Sequence, residues 1–252
     1  MTASPLSTWN ADNVRLTLFP VVQLQGLDVV TRVFRIVTGG SEPDETTSKA
    51  SAATHIVHGT LAGGRLIVAA QPGRIDVQLA LDALGGPTLP LSLGPSETVL
   101  GDFLRRVRPI FDDCPPVHRL AFGALLLQKA DSIAGALKTL EPFLPSLRLD
   151  AETSTDLLYQ INRPRPTRTD VAGLRINRLA KWSAQSISTV QFGAAIPSIS
   201  GVSSPMVTYS ACLEADISTV ADQRELPAAS LAALVEEQVD ITREIATTGD
   251  IP

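Results

Sequence analysis

Apolar positions along this chain fall into short strand-like runs, then into helical spacing, and this order of elements runs twice. Residues 14–22 (VRLTLFPVV) predict a strand from their β-branched and aromatic content, with Pro20 near its end. Leu27, Val30, Val33, Phe34 and Val37 recur at helical spacing, so a helix is expected over residues 25–37, with Gly39 and Gly40 as its stop. Residues 39–53 hold small, polar and charged side chains only and predict a mobile surface loop. A three-strand meander is expected at 54–61, 65–70 and 75–81, turning at Gly63-Gly64 and Gln71-Pro72-Gly73. A Gly/Pro/Leu connector over 85–95 leads to a helix with Ser96 as its expected N-cap. Val99, Leu100, Phe103, Leu104 and Val107 line one face of that helix, and Pro109 limits it. Arg105, Arg106 and Arg108 sit near its C-terminus, where the helix dipole favours positive charge.

Pro115-Pro116 opens the second run. Residues 118–129 (HRLAFGALLLQK) predict a long strand, and Asp131 or Ser132 caps a helix carrying Ile133, Leu137 and Leu140 up to Pro142. A link at 146–154 precedes a second meander at 157–162, 174–192 (with a break) and 207–217. Leu231, Leu234, Val235, Gln238, Ile241 and Ile245 then track one face of a closing helix, with Pro227 suited to its first turn and Gly249 to its stop. Glu236, Glu237, Asp240 and Glu244 mark its other face, expected to be solvated. The pattern predicts an α+β protein of two similar halves, each β-α-β-β-β-α with an antiparallel sheet and helices on one face. The halves divide at residues 1–113 and 114–252, as two units or as one continuous domain.

The chain has 252 residues, 44% of them hydrophobic, enough for a sizeable core. No apolar run approaches the ~18 residues of a membrane-crossing helix, so no membrane partner is expected. Residues 1–13 lack a basic region followed by an apolar one, so a cytoplasmic location is expected rather than secretion. The two cysteines, Cys114 and Cys212, are expected to stay reduced as small apolar side chains. A net charge of −5 argues against unselective coating of nucleic acid. Residues 163–181 nonetheless hold six basic residues against one acid, Asp170, which leaves room for a local basic face.

Candidate chemistry is sparse. His55 and His58 have a spacing that would suit a metal on a helix, but in a strand they point to opposite faces. His118 lies near Cys114, yet Pro115-Pro116 stiffens the segment and no oxyanion motif accompanies the pair. Asp112-Asp113 needs nothing beyond a turn. Gly39-Gly40-Ser41, and Gly201 with Ser203, lack the strand–loop–helix setting and the lysine of a phosphate loop. No catalytic motif, metal set or cofactor is expected. Glu214 and Asp216 share one face of a strand and could bind a cation or divide acid and base roles, although solvent exposure is the simpler account.

The segment that stands out is Asn162-Arg163-Pro164-Arg165-Pro166-Thr167-Arg168 with 175–182 (RINRLAKW). On a strand, Arg175, Asn177 and Lys181 share a face with Leu179, while Arg178 shares the other with Ile176, Ala180 and Trp182. An arginine among apolar neighbours keeps its charge and needs a counter-ion. Either it pairs internally with Glu214, Asp216 or Asp156, or the segment recognises phosphate, nucleic acid or an acidic partner, with Trp182 as a stacking platform.

The pieces LYQINR (158–163), RINR (175–178), DIST (216–219), EIA (244–246) and Gly249-Asp250 resemble a group of sporadically distributed bacterial proteins of about this length, a group with no assigned activity. The resemblance implies a bacterial source and supplies no catalytic residue. The order of elements also resembles folds of the TATA-binding and helix-grip types, in which a helix lies across a curved sheet. The expected function is a non-enzymatic binding or assembly component of a bacterial cytoplasm, with a protein partner or a second copy of the chain. Its contact surface is expected on Arg163, Arg165, Arg175, Asn177, Arg178, Lys181 and Trp182, with Glu214 and Asp216. The alternatives are an enzyme or small-ligand binder with a pocket near Arg178, Glu214 and Asp216, and a nucleic-acid binder.

Overall fold

Strict alternation builds the first strand: Val14, Leu16 and Leu18 are buried on one side of β1 (Asn10–Pro20), while Asn13, Arg15 and Thr17 line the other. The computed structural model describes residues 8–22, 24, 26–81, 92–189, 206–222 and 224–250. In chain order the elements after β1 are α1 (Leu27–Thr38), β2 (Glu45–Lys49), β3 (Thr54–Leu61), β4 (Gly64–Gln71), β5 (Arg74–Ala80), the two-residue β6 (Gly94–Pro95) and α2 (Ser96–Val107). Then come β7 (Val117–Ala130), α3 (Ile133–Leu140), β8 (Leu158–Asn162), the two-residue β9 (Arg165–Pro166), β10 (Arg175–Thr189), β11 (Met206–Thr219) and α4 (Leu231–Thr248).

All strands join one antiparallel sheet in the order β2-β3-β4-β5-β1-β7-β11-β10-β8, with β6 added to β1 and β9 to β10. β1 and β7 pair at its centre, from Asn10–Leu127 to Pro20–Val117, so one sheet continues across the boundary at residue 113. On either side of that pair the later strands follow in reverse chain order. Both edges are five-residue strands, and β2 carries only polar or charged side chains, all exposed, which discourages further pairing.

Among the described residues the helices all lie on one side. α1 packs on β3 and β4, α2 on β1, and both α3 and α4 on β7 and β11. Leu16, Phe122 and Ile217 face them along one cross-strand row, and Phe103 of α2 meets Phe122 with ring centroids 6.2 Å apart. A second aromatic group, Trp9, Phe143 and Trp182, closes the core under α3, and the Trp9 indole donates to the Ala246 carbonyl of α4 at 2.9 Å.

The expected helices, both meanders and the long strand at 118–129 are all present. Ser132 is the cap of α3, its Oγ accepting from the Gly135 N–H at 3.0 Å, whereas Ser96 is the first residue inside α2, with Pro95 before it. Three expectations need correction. The loop predicted over 39–53 contains β2, an edge strand with both faces in solvent and therefore no apolar alternation to reveal it. The strand predicted with a break at 174–192 runs continuously from Arg175 to Thr189, held on both sides by β11 and β8. The face of α4 expected to be solvated is half buried: Glu237 is 4% exposed, and Glu244 lies against β9 and β10. Residues 190–192, most of the 85–95 connector, Gly201 and Ser203 lie outside the described residues. No helix among the described residues is long and apolar enough to cross a membrane.

Candidate binding surface

Alternation along β10 sorts the candidate residues between the two faces of the sheet. Ile176, Arg178, Ala180 and Trp182 turn toward the helices and are buried. Arg175, Asn177, Leu179 and Lys181 turn to the side on which, among the described residues, no helix packs. Cross-strand register places Lys181 beside Glu214 and Leu179 beside Asp216, so Glu214 and Asp216 lie on that uncovered face too. Arg178 is on the opposite side of the sheet from both carboxylates, and the three line no common pocket.

The covered-side arginines form an ion network with the last helix and the turn beyond it. Arg178 donates from Nη2 to Glu244 Oε1 at 2.9 Å, and Arg165 donates from Nη1 to both Glu244 oxygens, at 3.1 and 2.9 Å. Arg163 grips Asp250 through Nε and Nη2, at 2.6 and 3.1 Å. The Tyr159 hydroxyl donates to the same carboxylate at 2.6 Å, and Ser146 Oγ at 3.4 Å. Glu237 accepts from the Thr167 hydroxyl at 2.5 Å and from the Arg168 backbone N–H at 2.9 Å.

Charge in this network is set by its geometry. The Arg163 guanidinium, helped by the Tyr159 hydroxyl, holds the Asp250 carboxyl below the usual range against the opposing effect of burial. Burial lowers the Arg178 pKa, and Glu244 opposes that shift. Partners for the arginines thus come from α4 and its C-terminal turn rather than from Glu214, Asp216 or Asp156. Trp182 is fully buried between Trp9 and Phe143, stacked on Phe143 at 5.5 Å, and presents no ring face to a ligand.

The face without helices is polar and orderly but not open throughout, since Thr17, Asp76, Ala121 and Ser218 on it are buried. One row runs Gln78, Arg15, Gly123, Asp216, Leu179 and Asn162 across β5, β1, β7, β11, β10 and β8. The next runs Asp76, Thr17, Ala121, Ser218 and Asn177. Lys181 pairs with Glu214 at 3.0 Å, Asn177 accepts from Asn162 Nδ2 at 3.1 Å, and exposed Arg175 donates to the Pro164 carbonyl at 2.8 Å. Asp76 takes Thr17 Oγ1 and Arg74 Nε, both at 2.6 Å. Arg119 donates to Ser218 Oγ at 3.1 Å and lies over the Phe19 ring, 5.0 Å from its centroid. Arg15, stretched over Gly123, has no partner among the described residues.

The remaining titratable candidates are held apart. His55 pairs across the strand with Ser48, accepting or donating at 3.0 Å through Nδ1, whereas His58 pairs with Glu45 on the other face. Burial and the nearby Arg65 lower the His58 pKa. The thiols are free, and burial pushes Cys114 up to about 11 and Cys212 up to about 12, far from a nucleophile's range. No group of three or more His, Cys, Asp or Glu side chains among the described residues could hold a metal ion.

Sequence reasoning passed over Arg15, Arg119, Glu244 and Asp250. The first two were open to detection, as charged residues at the polar positions of strands otherwise apolar at every second place. The two carboxylates had no local signal, because their partners are remote in sequence. Comparison with protein-family models and with curated proteins finds no match to this chain.

Proposed function

We propose that this chain is a non-enzymatic binding or assembly component of a bacterial cytoplasmic system, with its contact surface on the uncovered side of β10 and β11. The observation that carries the reading is the one-sided placement of the helices. Among the described residues it leaves Arg175, Asn177, Leu179, Lys181, Glu214 and Asp216 side by side on β10 and β11. Such a face, mixed in charge and built on two strands of 14 and 15 residues, suits a polar protein interface. The thiols, Cys212 buried and Cys114 partly so, are both free, which fits a reducing compartment. The strand–helix–meander–helix order on each side of the β1–β7 pair supports reading the halves as diverged repeats, with the contact surface in the second.

The test compares what copurifies with the wild-type chain and with an Arg175→Glu/Lys181→Glu variant, alongside the molar mass of each by light scattering. Loss of one specific partner, or of self-association, with an unchanged melting temperature is the expected result. A partner captured equally by both proteins would remove this face from the interaction. Retention on DNA or RNA that falls steeply with salt and disappears in the same variant would favour nucleic acid as the partner.

A further inference from the structure

We infer that Arg15 and Arg119, on the two central strands, form an oxyanion site over Ala121 and Gly123 that takes the carboxylate or phosphate group of a small anionic ligand. The inference goes beyond the contact surface proposed above, since it uses none of its residues for the primary contact.

Counter-ions single these two side chains out. Among the described residues, the other strand arginines that are not exposed all face a carboxylate: Arg65 with Glu45, Arg74 with Asp76, and Arg165 and Arg178 with Glu244. Arg15 has none, and Arg119 has only the Ser218 hydroxyl and the Phe19 ring. Both bury their Nε–H without an acceptor. A guanidinium stays charged in such a setting, and its planar fork is the best match for a carboxylate or phosphate.

Position brings the two forks together. Arg15 lies flat across Gly123, its Nη2 3.6 Å from where a Cβ would stand. Arg119 starts two rows away, opposite Phe19, and leans back to reach Ser218 in the adjacent row. Same-face rows are about 7 Å apart, so the two side chains start about 14 Å apart and the lean of Arg119 toward Ser218 shortens the gap that one oxyanion must span. Gly123 and Ala121 put no more than a methyl group beneath that point, so the floor of the sheet is lowest there. Directly beside Gly123 in the same row, across from Arg15, Asp216 makes no ion pair among the described residues. A second anionic group would be repelled by Asp216, whereas a hydroxyl or amine on the ligand would find an acceptor. The surface favours one oxyanion with a neighbouring donor over a nucleic-acid backbone, which needs a track of cations.

Isothermal titration with inorganic phosphate and, separately, with succinate tests the site and distinguishes the two ligand classes. Saturable binding of at least one anion is expected. It should weaken by about tenfold or more in Arg15→Met/Arg119→Met, which keeps the apolar stems on the sheet. Arg105→Ala, an exposed arginine on α2, should bind as wild type. Should the double variant fold poorly, Arg15→Lys/Arg119→Lys keeps both charges but replaces the planar forks, and it should weaken binding likewise. Absence of saturable binding to both anions, or equal binding by wild type and these variants, overturns the proposal. Retention on duplex DNA that is lost in the Met variant would overturn the small-ligand assignment. Because direct anion titration needs no protein partner, this site can fail while the β10–β11 contact surface stands, and the reverse.

Discussion

Arg163 and Asp250 form a two-point ion pair, Nε to Oδ1 at 2.6 Å and Nη2 to Oδ2 at 3.1 Å, that ties the segment after β8 to the turn after α4. The carboxylate is 1% exposed and the arginine 32%. Removing the acid strands Arg163 beside the Tyr159 hydroxyl with nothing to receive either. Asp250→Ala should therefore lower stability by about 2–3 kcal/mol, less than for a fully buried pair because Arg163 keeps some contact with water. Urea unfolding measures it, and a loss below a few tenths would mean that the pair contributes nothing net.

The same carboxyl makes stability depend on acid. Its pKa is depressed in the folded protein, chiefly by the Arg163 hydrogen bonds, so the folded state binds the proton less readily than the unfolded one. Its contribution is complete above the ordinary aspartate range near pH ~4 and declines as pH falls through the depressed folded value. Melting temperature plotted between neutral and strongly acidic pH should fall less steeply below that range in Asp250→Asn than in wild type. Parallel curves would refute the assignment.

Glu244 serves two arginines at once, so the network should respond asymmetrically. Glu244→Leu alone leaves Arg165 and Arg178 without a counter-ion and should cost about 3 kcal/mol. Adding Arg178→Met should recover part of that loss, because an apolar pair replaces a half-broken ionic one. A double mutant no more stable than Glu244→Leu would show that Arg165 alone carries the penalty.

Gly249 has φ 76° and lies so close to Phe143 that a Cβ would collide with the Phe143 carbonyl oxygen. Gly173 has a similar φ of 70° but open space around it. Alanine at 173 should cost about 1 kcal/mol from the backbone alone, and alanine at 249 about 2–3 kcal/mol because its ψ of −154° lies in glycine's own region and the turn must also move. Equal costs at the two positions would mean that the Phe143 contact yields without strain.

Cys114 and Cys212, raised to about 11 and about 12 by burial, should resist alkylation near neutral pH and react together only on unfolding. Mass spectrometry after a short iodoacetamide pulse reads this directly. Rapid labelling of either cysteine in the native protein would contradict the burial that raises it.

Much of the fold was legible because burial on one side leaves a period in the sequence. The β10 alternation located Arg178 among Ile176, Ala180 and Trp182, which is where it lies. Its partner could not be read the same way. Glu244 is 66 positions away on a helix whose acids read as an ordinary wet face, and only the fold packs β9 and β10 against Glu244 and residues 167–168 against Glu237. β2 escaped for the opposite reason, since an edge strand exposed on both faces carries no apolar period. The open-face arginines were visible as letters, but only the register across β1, β7 and β11 shows that they stand over small residues and lack counter-ions.

The Trp9 indole reaches the Ala246 carbonyl across 237 positions of sequence, and β1 cannot complete its central pairing until β7 exists. On a ribosome, the core around Trp9 must wait, solvated, until the segment carrying Ala246 has emerged. Long-range closure of this kind slows folding and prolongs the exposure of apolar surface. The last helix is thus a latch on the molecule's own biosynthesis: a chain cut short before Ala246 leaves an unfinished core rather than a smaller stable protein.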